Sequence, residues 1–424
     1  MKKRLLTLFT VMLVTGYCMA QEMTVKTSRS AGQRIQLNIT SDGGFTIEGV
    51  EEESNEGFSG YTLTGSEIKL IGNITSFSSP YNEITAVDVT GMPCIKELDI
   101  FGNPINNLSL KNNTELTFLG IGATEITSVD LSSCPNLETL NANNGKLETL
   151  DLSHNKDIKN VLANNAGIST LILQGADNLD ILDCSNNKFN SLDITPVKKL
   201  TQLACAGCNL NTLDITNHKL VVLNCNANNL KELDLSNQSE LQELGCTNNK
   251  LEKIDLSDCH QLFALRINNN IILDKNMTTL VNSLPIQGEE PLNGNMVVVD
   301  TKSTNERNEM TTINVENAMA KNWYVFDLAG GNTGEDYGIP YDGISSDMVS
   351  VDNINVIKLN VYKSVCGMLY IKGAAGKNIV INDIHGREVH KIHALEELTI
   401  IDVNNIPAGV YIVTIGKESV KIRF

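Results

Sequence analysis

The stretch Leu241-Gln-Glu-Leu244-Gly-Cys246-Thr-Asn-Asn249-Lys-Leu251-Glu-Lys-Ile254-Asp255-Leu256-Ser257 decides the fold. Leu244 and Cys246 alternate with polar neighbours, which is strand periodicity. Leu251, Ile254 and Leu256 then turn a second apolar edge inward. So short a unit cannot bury its own core, but it recurs. Its first apolar position returns at Ile95, Leu116, Leu137, Ile158, Leu179, Leu200, Leu220, Leu241 and Leu262. The spacing is 21 residues, except for 20 between Leu200 and Leu220. A degenerate earlier copy begins at Ile74, with Phe77, Ile84, Val87 and Val89 in register. About ten stacked coils would bury leucine on leucine and set parallel strands along one face, as a solenoid does.

Three columns fill out the coil. Position 6 reads Ile100, Ile121, Ala142, Ala163, Cys184, Cys205, Cys225, Cys246, Ile267, so cysteine there behaves as a small hydrophobe. Position 9 holds Asn103, Asn187, Asn228, Asn249 and Asn270, whose amides can satisfy backbone groups at the bend. Thr124, Gly145, Ala166 and Cys208 interrupt that column and predict weaker rungs. Position 15 holds Asp130, Asp151, Asp193, Asp214, Asp234 and Asp255, placed to point outward and cap turns.

The form Leu182-Asp-Cys184-Ser-Asn-Asn187-Lys-Phe189 resembles the leucine-rich-repeat family. It is closest to internalin-like surface proteins (internalin J type) of Bacteroidales such as Porphyromonas. The resemblance covers about half the chain. It implies a mostly β member of the α/β-type solenoids with β-rich caps, and a protein-binding function without catalysis.

The flanks differ in pattern. Met1-Lys2-Lys3-Arg4 followed by apolar Leu5 to Val14 predicts a signal peptide over 1–20, with cleavage before Gln21. A lipoprotein at Cys18 is the lesser alternative, because Tyr17 is bulky. Alternating segments over 21–73 predict a β-rich cap that includes Arg34 to Ile39, Gly44 to Glu48 and Glu67 to Leu70. The solenoid is expected over 74–284 and ends in a short helix over Asn276 to Leu284. A second cap follows over 285–329: a strand at Met296 to Asp300, a helix at Asn305 to Lys321 and a strand at Trp323 to Phe326. The single Trp is assigned to the cap core. Residues 330–350 read as a linker.

Residues 351–424 alternate as strands at Ile354 to Val361, Met368 to Lys372, Ile379 to Asp383, Leu398 to Val403 and Val410 to Ile415. They predict a small antiparallel, Ig-like β-sandwich. Asp383, Gly386 and Arg387, then Pro407, Gly409 and Tyr411, then Lys421 near the end, resemble the C-terminal sorting domain of type IX secretion systems. Tyr362 to Val365 departs from that family's usual opening. The resemblance implies export to the outer-membrane surface or beyond. It further implies engagement of the secretion machinery, cleavage near Asp342 to Ser350, and then either attachment to an anionic surface polysaccharide or release.

Composition narrows the function. Lys and Arg number 33 against 50 Asp and Glu, a formal charge of -17. So acidic a chain is a poor nucleic-acid binder. No segment has the length and apolarity of a transmembrane helix.

The chemical candidates are few. Cys205-Ala-Gly-Cys208 has redox spacing, but both residues occupy inward positions, so core packing is favoured over a disulfide or a metal. His154, His218 and His260 fall in variable parts of the coils and are expected to face solvent; His385, His390 and His393 lie in the last domain. The Asp column, often followed two on by Ser or Thr, could bind calcium, but one carboxylate per layer suits turn capping better. Gly43-Gly44 and Gly330-Gly331 read as turns. No cofactor, metal or catalytic set is expected.

A ligand would meet the outward strand positions 3, 5 and 7. The candidate face is Phe101, Phe118, Asn141, Leu162, Ile181, Asp183, Gln202, Val222, Asn224, Phe263 and Arg266, where apolar anchors stand among polar groups. The leading expectation is adhesion or protein interaction at the cell surface, toward host cells, other bacteria or a biofilm. A self-associating surface or matrix protein is the alternative, and a glycan-capture protein the weaker one.

Overall fold

A computed structural model describes residues 21–52, 60–288, 293–331, 338–344, 360–363, 368–372, 374–395, 398–403, 405–407, 409–416 and 418–423. The expected signal segment with Cys18, much of the linker with Ser345 to Ser350, and the expected strand over 354–359 lie outside these residues. The chain divides into two compact units, 1–228 and 229–424.

The first unit opens with an antiparallel cap. Strand Glu22–Thr27 lies between Glu67–Ser78 and Ile84–Asp88, and Asn38–Glu48 pairs the other edge of Glu67–Ser78. Gly43 and Gly44 do not make a turn between strands. Both have φ +92° and lie inside Asn38–Glu48, where the register jumps from Ser41 to Phe45. Two left-handed residues in a row bulge the strand, a conformation glycine adopts without a Cβ penalty.

The end of that long cap strand starts the solenoid. Ser76 to Ser78 pairs parallel with Glu97–Asp99. The ladder continues through Phe118–Gly120, Thr139–Asn141, Asn160–Leu162, Ile181–Asp183, Gln202–Ala204 and Val222–Asn224. The degenerate copy from Ile74 is thus part cap and part coil, and nine coils of regular spacing follow it in the chain. Each strand has three residues, and the middle one points inward. Phe77, Leu98, Leu119, Leu140, Val161, Leu182, Leu203 and Leu223 are all at most 1% exposed.

The second unit carries the same device onward. Glu243–Gly245 pairs parallel with Ala264–Arg266, that strand with Gly294–Val299, and that one in turn with Trp323–Asp327. The last two coils are longer and carry helices Asp274–Ser283 and Thr312–Met319. The second helix is shorter than the sequence suggests. It starts where the Thr311 side chain accepts from the Asn314 N–H, an N-cap that fixes the first turn. Trp323 is buried at 1% exposure, and its Nε1 donates to the Pro285 carbonyl at 2.7 Å.

The described residues between 360 and 423 form a separate sandwich. One sheet holds Asn360–Lys363, Met368–Lys372 and Leu398–Asp402; the other holds Glu388–His393, Asn378–Asp383, Val410–Ile415 and Glu418–Arg423. Leu369, Ile371, Ile379, Ile381, Ile401 and Val413 share its core. Two of these strands, Glu388–His393 and Glu418–Arg423, were not apparent from alternation. The first is exposed at nearly every position, so its sequence has no buried face to reveal. Among the described residues no helix is long and apolar enough to cross a membrane.

Polar side chains tie the coils together. In the first unit Asn103, Asn187 and Asn228 send their amide N–H groups to carbonyls of their own and the preceding turn, and Asn82 sends its to Pro80 in its own turn and to Gln36 of the cap. Asn308 extends the device into the final coils of the second unit, donating to Ile267 and Val298 carbonyls. Position 19 adds a second, shorter ladder. Asn113 donates to the Val89 and Met92 carbonyls, and Asn155 to those of Leu131 and Cys134. His218 occupies the same position. It is 2% exposed, with Nε2 at 3.0 Å from the Ile194 carbonyl. The expectation that it faces solvent is therefore corrected, while His154 and His260 are exposed.

The aspartates of position 15 cap turns. Oδ1 of Asp130, Asp151, Asp193, Asp214, Asp234 and Asp255 accepts the N–H two residues on, at 2.9–3.0 Å. Hydrogen bonds from Thr90, Ser132, Thr195 and Thr216, side chain first and then backbone, lower the pKa of Asp88, Asp130, Asp193 and Asp214. Asp151 is lowered by the backbone N–H of Ser153 first. A carboxyl whose folded pKa lies below its unfolded one stabilises the fold above the unfolded value. That contribution disappears as pH falls through the folded value. Thermal stability should therefore hold near neutrality and decline below about pH 4, each exposed aspartate adding only a little. A melting temperature constant from pH 7 to pH 3 would remove these turns as stabilisers.

Candidate ligand-binding face

Residues flanking each inward leucine point to the opposite side of the sheet, because side chains alternate along a strand. The register brings the sequence-derived candidates of the first unit into rows. Ile181, Gln202 and Val222 are successive partners in one row; Leu162, Asp183, Ala204 and Asn224 are successive partners in the next. Gln202 is exposed, and Phe101, Phe118, Asn141, Leu162, Ile181, Asp183, Val222 and Asn224 are half-buried. In the second unit Phe263, 38% exposed, immediately precedes strand Ala264–Arg266, and Arg266 is half-buried.

Several polar members of this face also serve the backbone. Oδ1 of Asp99, Asn141, Asp183 and Asn224 accepts the N–H two residues further on, at 3.0–3.3 Å. Such bonds hold the bend after the strand, as short side chains with an acceptor oxygen do at turns. Their remaining lone pairs and amide hydrogens are the part left to a ligand.

Tyr81 escaped the sequence reading. It is 67% exposed, and its ring meets Phe101 edge to face at 5.5 Å between centroids. It stands at position 8 of the degenerate copy. In the other coils that position holds Gly102, Ala123, Asn144, Asn165, Asn186, Gly207, Ala227, Asn248 and Asn269, all at positive φ. Tyr81 takes φ +56° there too, a left-handed conformation unusual for a bulky residue. The signal available in sequence was a tyrosine in a column otherwise made of Gly, Ala and Asn.

Most of the described cysteines are packed inward, as the core reading expects. All eight described cysteines are free, and only Cys94 is partly exposed. Burial pushes Cys134 up to about 11, and Cys225 and Cys259 up to about 12; Cys205 is likewise raised by burial. Cys184 is raised by its hydrogen bond with Cys208 and by burial. Cys208 stands in for a ladder asparagine, its Sγ donating to the Cys184 carbonyl at 3.2 Å. Cys208 runs the other way, lowered chiefly by its hydrogen bond with Cys184, but it too is buried, and a covered thiol is a poor nucleophile. Alkylation of the folded protein at pH 8 should modify Cys94 among these eight, and the others only after unfolding. Rapid modification of Cys205 or Cys208 in the folded state would restore the redox reading. Among the described residues no group of three His, Cys, Asp or Glu is placed to hold a metal ion.

The residues expected to direct secretion come together at one end of the sandwich. Oδ1 of Asp383 accepts the His385 and Arg387 N–H groups at 2.8 and 3.0 Å, and its Oδ2 takes the Arg387 Nε at 2.7 Å. Gly386 closes this turn at φ +80°. The backbone bond from Arg387 leads the causes that hold the Asp383 carboxyl below its usual range. Asp383 is the strand partner of Tyr411, whose hydroxyl donates to the Pro407 carbonyl at 2.8 Å. Gly409 sits against the Tyr411 ring, and Lys421 pairs with Ile412 in the adjacent strand.

Residues 354–423 match the family described as the secretion system C-terminal sorting domain. No curated protein matches the chain. Among solved structures, the chain is similar to the functional domain of InlJ from Listeria monocytogenes, described as including a cysteine ladder. That match has 19% identity and a TM-score of 0.43, and covers 86% of this chain and 94% of that one. A leucine-rich-repeat protein of Leptospira interrogans is similar at 18% identity and TM-score 0.40, over 55% of this chain and 66% of that one. YopM from Yersinia enterocolitica is similar at 20% identity and TM-score 0.35, over 49% and 51%.

Proposed function

We propose, on the premise that this leucine-rich-repeat solenoid with a sorting domain is exported to the surface or outer membrane, that its sheet face captures a protein partner. The role is adhesion to a host cell or a neighbouring bacterium, or cohesion of a biofilm. One observation carries the reading: Phe118, Ile181 and Val222 stand on the open side of the ladder, apolar in a polar surround. Apolar groups on an open sheet lose contact with water only when a partner covers them. A face fixed by stacked coils also loses little conformational freedom on binding. The sorting domain would bring the solenoid to the outside through the secretion machinery, with cleavage in the linker and attachment to an anionic surface polysaccharide.

The test uses the exported protein as bait for host and bacterial surface proteins, beside Phe118→Asp and Val222→Asp. A partner captured by the parent and lost by both variants supports the face; a partner retained by both removes it. Sedimentation of the exported protein separates the matrix alternative, which requires concentration-dependent self-association. Deleting residues 351–424 should leave the protein in the periplasm, and surface display without them would remove the export route.

A further inference from the structure

We infer that the corner formed by Tyr81, Phe101, Phe118 and Asp99 is a receptor for an arginine side chain presented by a protein partner. The inference rests on the face reading above and names its chemistry. Tyr81 and Phe101 pack edge to face, the Phe118 ring and the Asp99 carboxylate share the space over Gly120, and all four groups lie beside glycines. A Cβ built on Gly102 would lie 2.5 Å from the Tyr81 ring, and one on Gly122 would lie 2.5 Å from the Phe101 ring. A Cβ on Gly120 would lie 2.4 Å from Asp99 Oδ1 and 3.3 Å from Phe118 Cε1. Gly120 and Gly122 are accordingly buried although they stand at outward positions. The rings thus lie down on the sheet and leave aromatic surface beside the Asp99 carboxylate.

Charge selects the occupant. Outward positions 3, 5 and 7 of the first unit carry Glu97, Asp99 and Asp183 and neither Lys nor Arg. Arg29, which reaches the Tyr81 carbonyl, is already held by Glu83, by the Arg34 carbonyl and by Asn82 Oδ1. Asp99 receives the Phe101 N–H at 3.2 Å on Oδ1 and the Ser78 hydroxyl at 3.3 Å on Oδ2. Each oxygen retains a lone pair. A guanidinium fits this set because it stacks on aromatic faces and offers a carboxylate two parallel N–H donors. An ammonium is compact and more strongly hydrated, and a phosphate would meet carboxylates. The exposed Tyr81 keeps an unfavourable backbone conformation at a position where its counterparts are Gly, Ala or Asn, which fits a residue kept for its ring.

The test labels phenylalanine and tyrosine rings of the full chain with carbon-13 and titrates two peptides, acetyl-Gly-Arg-Gly-amide and its citrulline counterpart. The arginine peptide should move the Tyr81, Phe101 and Phe118 signals saturably. The neutral citrulline peptide, and the arginine peptide on Asp99→Asn, should each bind about fivefold more weakly or worse. Tyr81→Gly should weaken binding while raising the melting temperature, so lost affinity cannot be ascribed to misfolding. Glu232→Gln, in the second unit, should leave the titration unchanged. Equal binding of the two peptides, indifference to Asp99→Asn, or equal sensitivity to Glu232→Gln would overturn the inference. If arginine does not bind while Phe118→Asp still abolishes partner capture, this inference fails and the face reading stands.

Discussion

Asn103→Ala is expected to lower the unfolding free energy by about 3 kcal/mol or more. The side chain is 1% exposed and makes five hydrogen bonds. Its Oδ1 accepts the N–H groups of Asn82 and Ile84 at 2.9 and 3.0 Å. Its Nδ2 donates to the carbonyls of Ser79, Ile100 and Phe101 at 2.8, 2.9 and 3.3 Å. An alanine methyl replaces none of these. The backbone groups stay buried by the coils above and below, and each orphaned group bears its desolvation cost. Urea denaturation should show a lower midpoint with an unchanged slope. A loss below about 1 kcal/mol would mean that the coil bends hold without the ladder, water having taken the amide's place.

The chain itself contains weaker forms of the same rung. Thr124 keeps a donor to the Ile121 carbonyl at 2.7 Å, and Cys208 keeps one to the Cys184 carbonyl. Both lack the amide oxygen that in Asn228 accepts the Cys208 and Leu210 N–H groups at 3.1 and 3.0 Å. A shortened rung therefore keeps less: Cys208 still reaches the preceding coil, while the Thr124 bond stays within its own. Such a rung can be tolerated where full rungs stand nearby, such as Asn187 and Asn228.

What was legible in the sequence is what the stack repeats. The leucine at position 4, the asparagine at position 9 and the aspartate at position 15 each answer a demand that recurs in every coil, so repetition exposes them. The second polar ladder stayed hidden because its column mixes solutions. Asn113, Asn155 and His218 alternate there with Cys134, Ala176 and Val197, all buried, and the mixture looks like surface variability. Polarity alone misplaced His218, since a buried imidazole with a backbone partner carries no sequence mark. Tyr81 was missed for a different reason. Its copy is in register through Phe77 and Ile84, but position 8 is not read as a column, and the positive φ shared by every coil is what marks it as one. The candidate face was legible as strand positions. That Asn141, Asp183 and Asn224 also brace their own backbones was not, because that depends on the bend after each strand.

Leu140→Ala is expected to cost about 3–5 kcal/mol, the upper part of the range for a buried leucine. Leu140 is fully buried and is the direct strand partner of Leu119 on one side and Val161 on the other. Both neighbours are themselves central, so neither can move in to fill the space without leaving its own layer. A solenoid has no other core to share the loss, since each coil contacts only its neighbours. The cavity should therefore remain, and the cost should grow with its volume. Leu192→Ala is the control: at 9% exposure that leucine already meets solvent, and its removal should cost less. Equal losses at the two positions would mean that the coils repack freely around a missing layer. Hydrogen exchange gives the sharper reading. Protection in Leu140→Ala should fall first in strands Phe118–Gly120, Thr139–Asn141 and Asn160–Leu162, because those coils have lost their shared interior. The aromatic corner spans the edge of that group: Phe118 lies in its first strand, whereas Phe101 and Tyr81 stand one and two coils before it. Local loosening there would separate a ligand surface held by its own glycine contacts from one held only by the leucine column behind it.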